Sequence, residues 1–214
     1  MQPIIGIVSQ PLDESFLDDP RFAGSDSYMM SAYVKFMEAS GARVIPLIWN
    51  EPDEIWGEKL SKINGVLFPG GDSDYLEYGR KIMDRLIQYN DEGNYFPAWG
   101  TCLGFENMLI WASDRGRDIL EVYNAHAVSL TLDFVVDPVF TKMFSPMGQG
   151  LDAWKFYRAP MTLNSHTYSA NPESFVTDIS LSEFYKLTSV SYEPSTGKPF
   201  AATIEAHNYP FAGT

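Results

Sequence analysis

The chain has 214 residues, enough to bury a sizeable core as one domain, and its 45% apolar content marks it as globular rather than disordered. Fifteen basic against 28 acidic residues leave a net charge of −13, which argues against non-specific nucleic-acid binding and against long-range attraction of anionic ligands. The single cysteine excludes an intrachain disulfide, and no apolar run reaches the length of a membrane-spanning helix.

The N-terminal Met1-Gln-Pro-Ile-Ile-Gly-Ile-Val8 enters a strand-like run directly, with no basic segment or cleavage site in the sequence shown. Ile4 to Val8 is continuously apolar, as expected of a strand covered on both faces. Asp26 is positioned to cap a helix running to Ala39 and ending at Ser40-Gly41. A second strand is predicted over Arg43 to Trp49 and a helix over Glu51 to Ser61. Gly65 to Pro69 reads as a third strand, followed by the Gly70-Gly71-Asp72 loop. A helix-compatible stretch from Leu76 to Tyr89 leads to the apolar run at Phe96 and then to Gly100-Thr-Cys-Leu-Gly104. This alternation predicts βαβ units, an α/β fold and a mostly parallel sheet. Ligands in such sheets bind at the carboxyl ends of the strands, where both Gly70-Gly71 and Cys102 fall. In the second half, Asp133 to Val136, Tyr185 to Tyr192 and Phe200 to Ala206 read as strands. The last two form an antiparallel hairpin across Glu193 to Pro199. With no repeat and no linker, 1–214 is expected to be a single domain.

Cys102 carries the chemistry. An apolar run that turns sharply into a helix holds a nucleophile on strained backbone, with Gly100 and Gly104 leaving room for the turn. The expectation is an exposed thiol, biased toward thiolate by the helix N-terminus beneath it. The competing reading is a small buried hydrophobe. The Gly70-Gly71 loop supplies backbone amides suited to an oxyanion, or else is only a tight turn. Arg80, Lys81 and Arg85 follow that loop, either to meet substrate carboxylates or as a solvated helix face.

Three segments carry a family resemblance: Phe68-Pro-Gly-Gly-Asp72, Trp99-Gly-Thr-Cys-Leu-Gly-Phe-Glu106 and Tyr33-Val-Lys-Phe-Met-Glu-Ala-Ser-Gly-Ala-Arg43. Together they resemble the gamma-glutamyl hydrolases of the class I glutamine amidotransferase-like group, across nearly the whole chain and least between Ser113 and Arg158. The resemblance implies a three-layer, flavodoxin-like sandwich. It further implies that Cys102 cleaves gamma-glutamyl bonds of folate polyglutamates through a thioester. Gly71 and Leu103 would supply the oxyanion amides, and His166, Glu106 and Tyr28 would contact substrate. It brings no cofactor and no metal; it brings a homodimer or larger assembly, and a lysosomal, vacuolar or secreted location.

Each of these substrate contacts has a plainer alternative. His166 is otherwise a satisfied structural histidine, Glu106 a carboxylate favoured by the helix start, and Tyr28 an ordinary face of an amphipathic helix. His126 reads as structural. His207 aligns with a turn between two strands, and Glu205 beside it is no partner, since adjacent strand residues face opposite sides. The family's catalytic histidine and glutamate belong to a Gln-Trp-His-Pro-Glu string expected directly after Tyr209-Pro-Phe-Ala-Gly-Thr214. The sequence is therefore expected to lack a C-terminal portion of the hydrolase domain. A catalytically inactive relative with a structural or binding role is the alternative, and an α/β-hydrolase with a cysteine elbow is disfavoured for want of a suitably placed late histidine.

Overall fold

Residues 2–214 are described by the computed structural model, and they divide into two compact units, one running to Asn107 and the other beginning at Met108. The first contains β1 (Ile4–Val8), β2 (Gln10–Pro11), α1 (Glu14–Leu17), β3 (Ser27–Tyr28), α2 (Ser31–Ala39) and β4 (Arg43–Leu47). It continues with α3 (Asp53–Leu60), β5 (Gly65–Phe68), α4 (Leu76–Asp91), β6 (Ala98–Gly100) and the start of α5 (Leu103–Ala112). Strands β4, β1, β5 and β6 lie side by side in that order, each neighbour parallel to the next. Parallel neighbours require crossovers, and the intervening helices supply them.

The inner strands follow from their composition. All four residues of β5 are buried, and Ile7 and Val8 of β1 are fully so; each such aliphatic or aromatic side chain contributes roughly 1.5–3 kcal/mol. Helix α4 shows why it lies on a core. Tyr78, Ile82 and Leu86 recur at the spacing of one helical face and are buried, while Arg80, Lys81 and Asp84 on the other side are exposed.

The helix expected from Asp26 starts later, at Ser31, with Met30 at its cap and no capping side-chain bond. Extended pairing wins over capping there. Gln10 and Pro11 pair antiparallel with Tyr28 and Ser27, and the Asp26 carbonyl accepts the Leu12 N–H at 3.1 Å.

The second unit contains β7 (Leu120–Leu130), β8 (Asp133–Phe134), α6 (Trp154–Arg158), β9 (Thr162–Ala170), α7 (Ser174–Thr177) and α8 (Ile179–Phe184). Strands β10 (Tyr185–Tyr192), β11 (Pro199–Ala206) and β12 (Phe211–Gly213) complete it. Strands β12, β11, β10 and β8 are neighbours in that order and antiparallel throughout, with β10–β11 forming the expected hairpin. Glu193 organises its turn by accepting from the Asn124 N–H and from the hydroxyls of Ser195 and Thr196. The β7–β9 ribbon was not anticipated. Its alternation is interrupted by register shifts at Val122/Ala125 and Ala125/Val128, and Ala127 takes φ 50°. Among the described residues no helix is long and apolar enough to cross a membrane.

Candidate active site

The loop after β5 is held from three sides before any catalytic group is considered. The Tyr75 hydroxyl donates to the Pro69 carbonyl at 2.7 Å, and the Gly70 N–H donates to the Tyr33 hydroxyl at 2.8 Å. The Gln10 side-chain amide donates to the Gly70 carbonyl at 2.6 Å. Tyr75 and Gln10 are buried, so these bonds form away from competing water. The Tyr28 hydroxyl in turn donates to Gln10 Oε1 at 3.2 Å, while its ring sits edge-on to Phe16. Tyr28 therefore lies in a two-residue strand rather than on a helix, and its hydroxyl meets the loop through Gln10.

Only glycine serves at the two centres of this loop. A Cβ at Gly70 would overlap the Tyr33 hydroxyl and stand 2.7 Å from Cys102 Cβ. Gly71 has φ 152°, and a Cβ there would overlap the Gln10 side-chain amide.

Cys102 sits between β6 and α5 with φ 52°, a left-handed conformation uncommon for a side chain other than glycine. The corner is closed by the Thr101 N–H on the Phe68 carbonyl at 3.0 Å and by the Gly104 N–H on the Thr101 carbonyl at 2.9 Å. Gly104 allows the start of α5 to lie against β5, because a Cβ there would overlap the Phe68 carbonyl oxygen. The structure thus brings Cys102, Leu103 and Gly71 together. The thiol sulfur is in hydrogen-bonding reach of the Leu103 and Gly71 N–H groups.

The expected bias toward thiolate does not hold for the free site. Burial pushes the thiol above its ordinary value, the Glu106 carboxylate pushes it further, the Leu103 and Gly71 amides pull it back, and Asp72 raises it again. Nor is the residue fully exposed; it is half-buried. A helix N-terminus favours the anion, but desolvation and two carboxylates outweigh it here. Glu106 shares the environment. Burial, reinforced by Asp72, pushes its carboxyl up to about 7.

His166 belongs to the second unit, on β9. Its Nδ1 pairs with the Tyr168 carbonyl at 3.1 Å, its Nε2 faces Asn164 Oδ1 at 3.3 Å, and its ring meets Phe200 edge-on at 4.9 Å. Burial holds it below the usual histidine range. His126 is exposed on β7, with Nε2 at 3.3 Å from the Thr167 hydroxyl. His207 lies in the β11–β12 turn, where its Nε2 faces the Ser182 carbonyl at 3.1 Å. Glu205 is fully buried and accepts the Lys142 and Met143 N–H groups, at 2.9 and 2.7 Å. The basic residues of α4 have local partners. Arg80 pairs with Asp84 and Lys81 with Asp53, while the Arg85 guanidinium sits over the Tyr89 ring at 4.9 Å.

Gln10, Tyr33 and Tyr75 were not singled out from sequence as site residues. Each reaches the loop through tertiary structure, and for Gln10 and Tyr33 the partners are 60 and 37 positions away; no local pattern signals such a contact.

The chain is 37% identical over 222 residues to gamma-glutamyl hydrolase 1 of Arabidopsis thaliana, covering 99% of this chain and 61% of that protein. It is 32% identical over 214 residues to gamma-glutamyl hydrolase B of Dictyostelium discoideum, covering 97% of this chain and 60% of that protein. The chain thus spans about three fifths of the length of these relatives. In fold it is similar to the glutaminase domain of Trypanosoma brucei CTPS with bound acivicin, at a TM-score of 0.61 and 14% identity, covering all of this chain and 84% of that one. The parallel sheet, the Gly70-Gly71 loop and the Cys102 corner all lie within residues 3–124, which match the peptidase C26 family, and the chain belongs to that family.

Proposed function

We propose that this protein is a gamma-glutamyl hydrolase in which Cys102 is the nucleophile. The observation that carries the reading is the Cys102 corner itself, a strained strand-to-helix turn whose sulfur lies in reach of the Gly71 and Leu103 amides. A carbonyl attacked by that sulfur would place its developing oxyanion beside the same two donors. Two preorganised N–H groups at that point stabilise the tetrahedral state more than the planar substrate, which is what lowers the barrier.

In the proposed reaction the Cys102 thiolate forms a bond to the gamma-carbonyl carbon, and the carbonyl electron pair moves onto oxygen. Collapse restores the carbonyl and breaks the C–N bond, and the amine leaves with the proton that the base took from the thiol. Water then adds to the thioester and collapse expels the thiolate, leaving a free gamma-carboxyl group. The base expected from the resemblance is the histidine of the Gln-Trp-His-Pro-Glu string. Glu106, Tyr28 and His166 are proposed to contact substrate, and folate polyglutamates are the proposed substrate class. Because the thiol is raised in the free site, its activation needs a base together with the two amides.

The test uses the protein as its gene encodes it, with a pteroyl gamma-glutamyl peptide as substrate. Wild type should release glutamate, and hydroxylamine should trap a thioester. Cys102→Ser should lose both. Release without Cys102, or no release by the wild type, overturns the reading. The reading also carries a homodimer or larger assembly and a lysosomal, vacuolar or secreted location, which light scattering and cell fractionation test. It keeps 1–214 within one hydrolase domain, for which a single cooperative unfolding transition is the expected result.

A further inference from the structure

The Gly70 carbonyl and the Gly71 N–H belong to one peptide unit. The bond is trans, since there is no cis peptide bond among the described residues, so the two groups point in opposite directions across one plane. Whatever grips the carbonyl therefore aims the amide. Gln10 grips it at 2.6 Å, from a side chain 2% exposed, and its own Oε1 is tethered by the Tyr28 hydroxyl at 3.2 Å. The Gln10 amide also lies directly over Gly71, where a Cβ would overlap it. Glycine on both sides of a peptide otherwise makes that unit unusually free to rotate.

We infer that Gln10 is a positioning residue: it locks the Gly70–Gly71 peptide so that the Gly71 N–H faces Cys102 Sγ rather than away from it. The inference rests on the oxyanion role proposed above for Gly71, although its geometric part concerns only the thiol. Tyr33 holds the other side of Gly70, by its N–H, and does not by itself fix which way the Gly71 amide points. The groups that act on the thiol are Glu106, Asp72, Tyr33, Tyr75 and the two amides, and Gln10 is proposed to act on it through the peptide.

Gln10→Met keeps the length of the side chain and removes the donor. Two readouts separate positioning from mere stability. The first is the pH midpoint of Cys102 alkylation by iodoacetamide, read at that residue by peptide mapping; residues 1–214 hold one cysteine. Alkylation displaces iodide at a saturated carbon and needs no oxyanion site. Loss of the facing Gly71 amide should move the midpoint up by about half a pH unit or more. The second is hydrolysis of the gamma-glutamyl substrate, where kcat should fall by roughly 10- to 100-fold, with KM within about threefold.

An alkylation midpoint equal to that of the wild type overturns the inference, whatever happens to kcat. A shifted midpoint in a protein whose wild type hydrolyses nothing supports Gln10 and counts against the hydrolase reading alone. If Gln10→Met does not fold, Tyr28→Phe cuts the tether from outside and is measured in the same way. It should shift the midpoint in the same direction by less, and no shift overturns the inference.

Discussion

Glu106 stands one helical turn beyond Cys102, and its backbone N–H closes that turn on the Cys102 carbonyl oxygen at 2.8 Å. The pair is joined electrostatically as well, since a charged Glu106 raises the thiol and burial raises Glu106 itself to about 7. Removing the carboxylate should therefore make Cys102 easier to ionise. Glu106→Gln is expected to move the midpoint of iodoacetamide alkylation downward, and an unchanged or higher midpoint would contradict the coupling.

The same residue should tie stability to pH. The Glu106 carboxyl is raised from 4.5 in the open chain to about 7 when folded, so the folded state holds the proton more tightly. That contribution is fully present below about pH 4.5 and is lost as pH rises through about 7. Its upper bound is roughly 3 kcal/mol. Urea unfolding at about pH 4.5 and about pH 8 should show the wild type losing more stability than Glu106→Gln across that interval.

Gly104→Ala tests how closely α5 approaches β5. The added methyl group would overlap the Phe68 carbonyl oxygen and stand 2.6 Å from its carbon. Backbone cannot swing aside as a side chain does, so the cost is expected at about 3 kcal/mol or more. Thermal unfolding should fall by roughly 10 °C for a chain of this size. A shift of a degree or two would mean that the corner relaxes freely.

Much of the first unit was legible because its strands are short, continuous and apolar, as with Ile4–Val8 and Gly65–Phe68, and because glycines punctuate the turns. The Cys102 corner was legible for the same reason. Its electrostatics were not. The helix start is visible in local sequence, whereas the desolvation and the approach of Asp72 arise only after folding. The β7–β9 ribbon escaped notice because two register shifts break its alternation. Asp26 looked like a cap because capping is read locally, while the Leu12–Asp26 bond that replaces it is made across the loop.

Tyr33→Phe should separate holding the loop from aiming it. The hydroxyl accepts the Gly70 N–H at 2.8 Å, and without it a buried donor loses its partner. The expected cost is about 1–3 kcal/mol. Differential scanning calorimetry should register it as a lower transition temperature, with a smaller effect on the alkylation midpoint than Gln10→Met produces.

In the second unit the informative residue is Glu205. Its carboxylate is fully buried and accepts two backbone N–H groups, with Lys186 Nζ 3.7 Å away. Glu205→Ala leaves those donors unpaired and should destabilise by roughly 3–5 kcal/mol. Glu205→Gln keeps one acceptor and should fall between that variant and the wild type in urea unfolding.

The φ of 52° at Cys102 has a consequence for how substitutions there should rank. At an ordinary site alanine is the more stable replacement and glycine the less stable. A left-handed backbone inverts the order, because only glycine occupies it without crowding its own Cβ. Cys102→Gly should therefore unfold at a higher temperature than Cys102→Ala, by the equivalent of about 1 kcal/mol. Durability of the fold alone would favour glycine at this position, so the strained backbone is carried together with the sulfur of the proposed nucleophile.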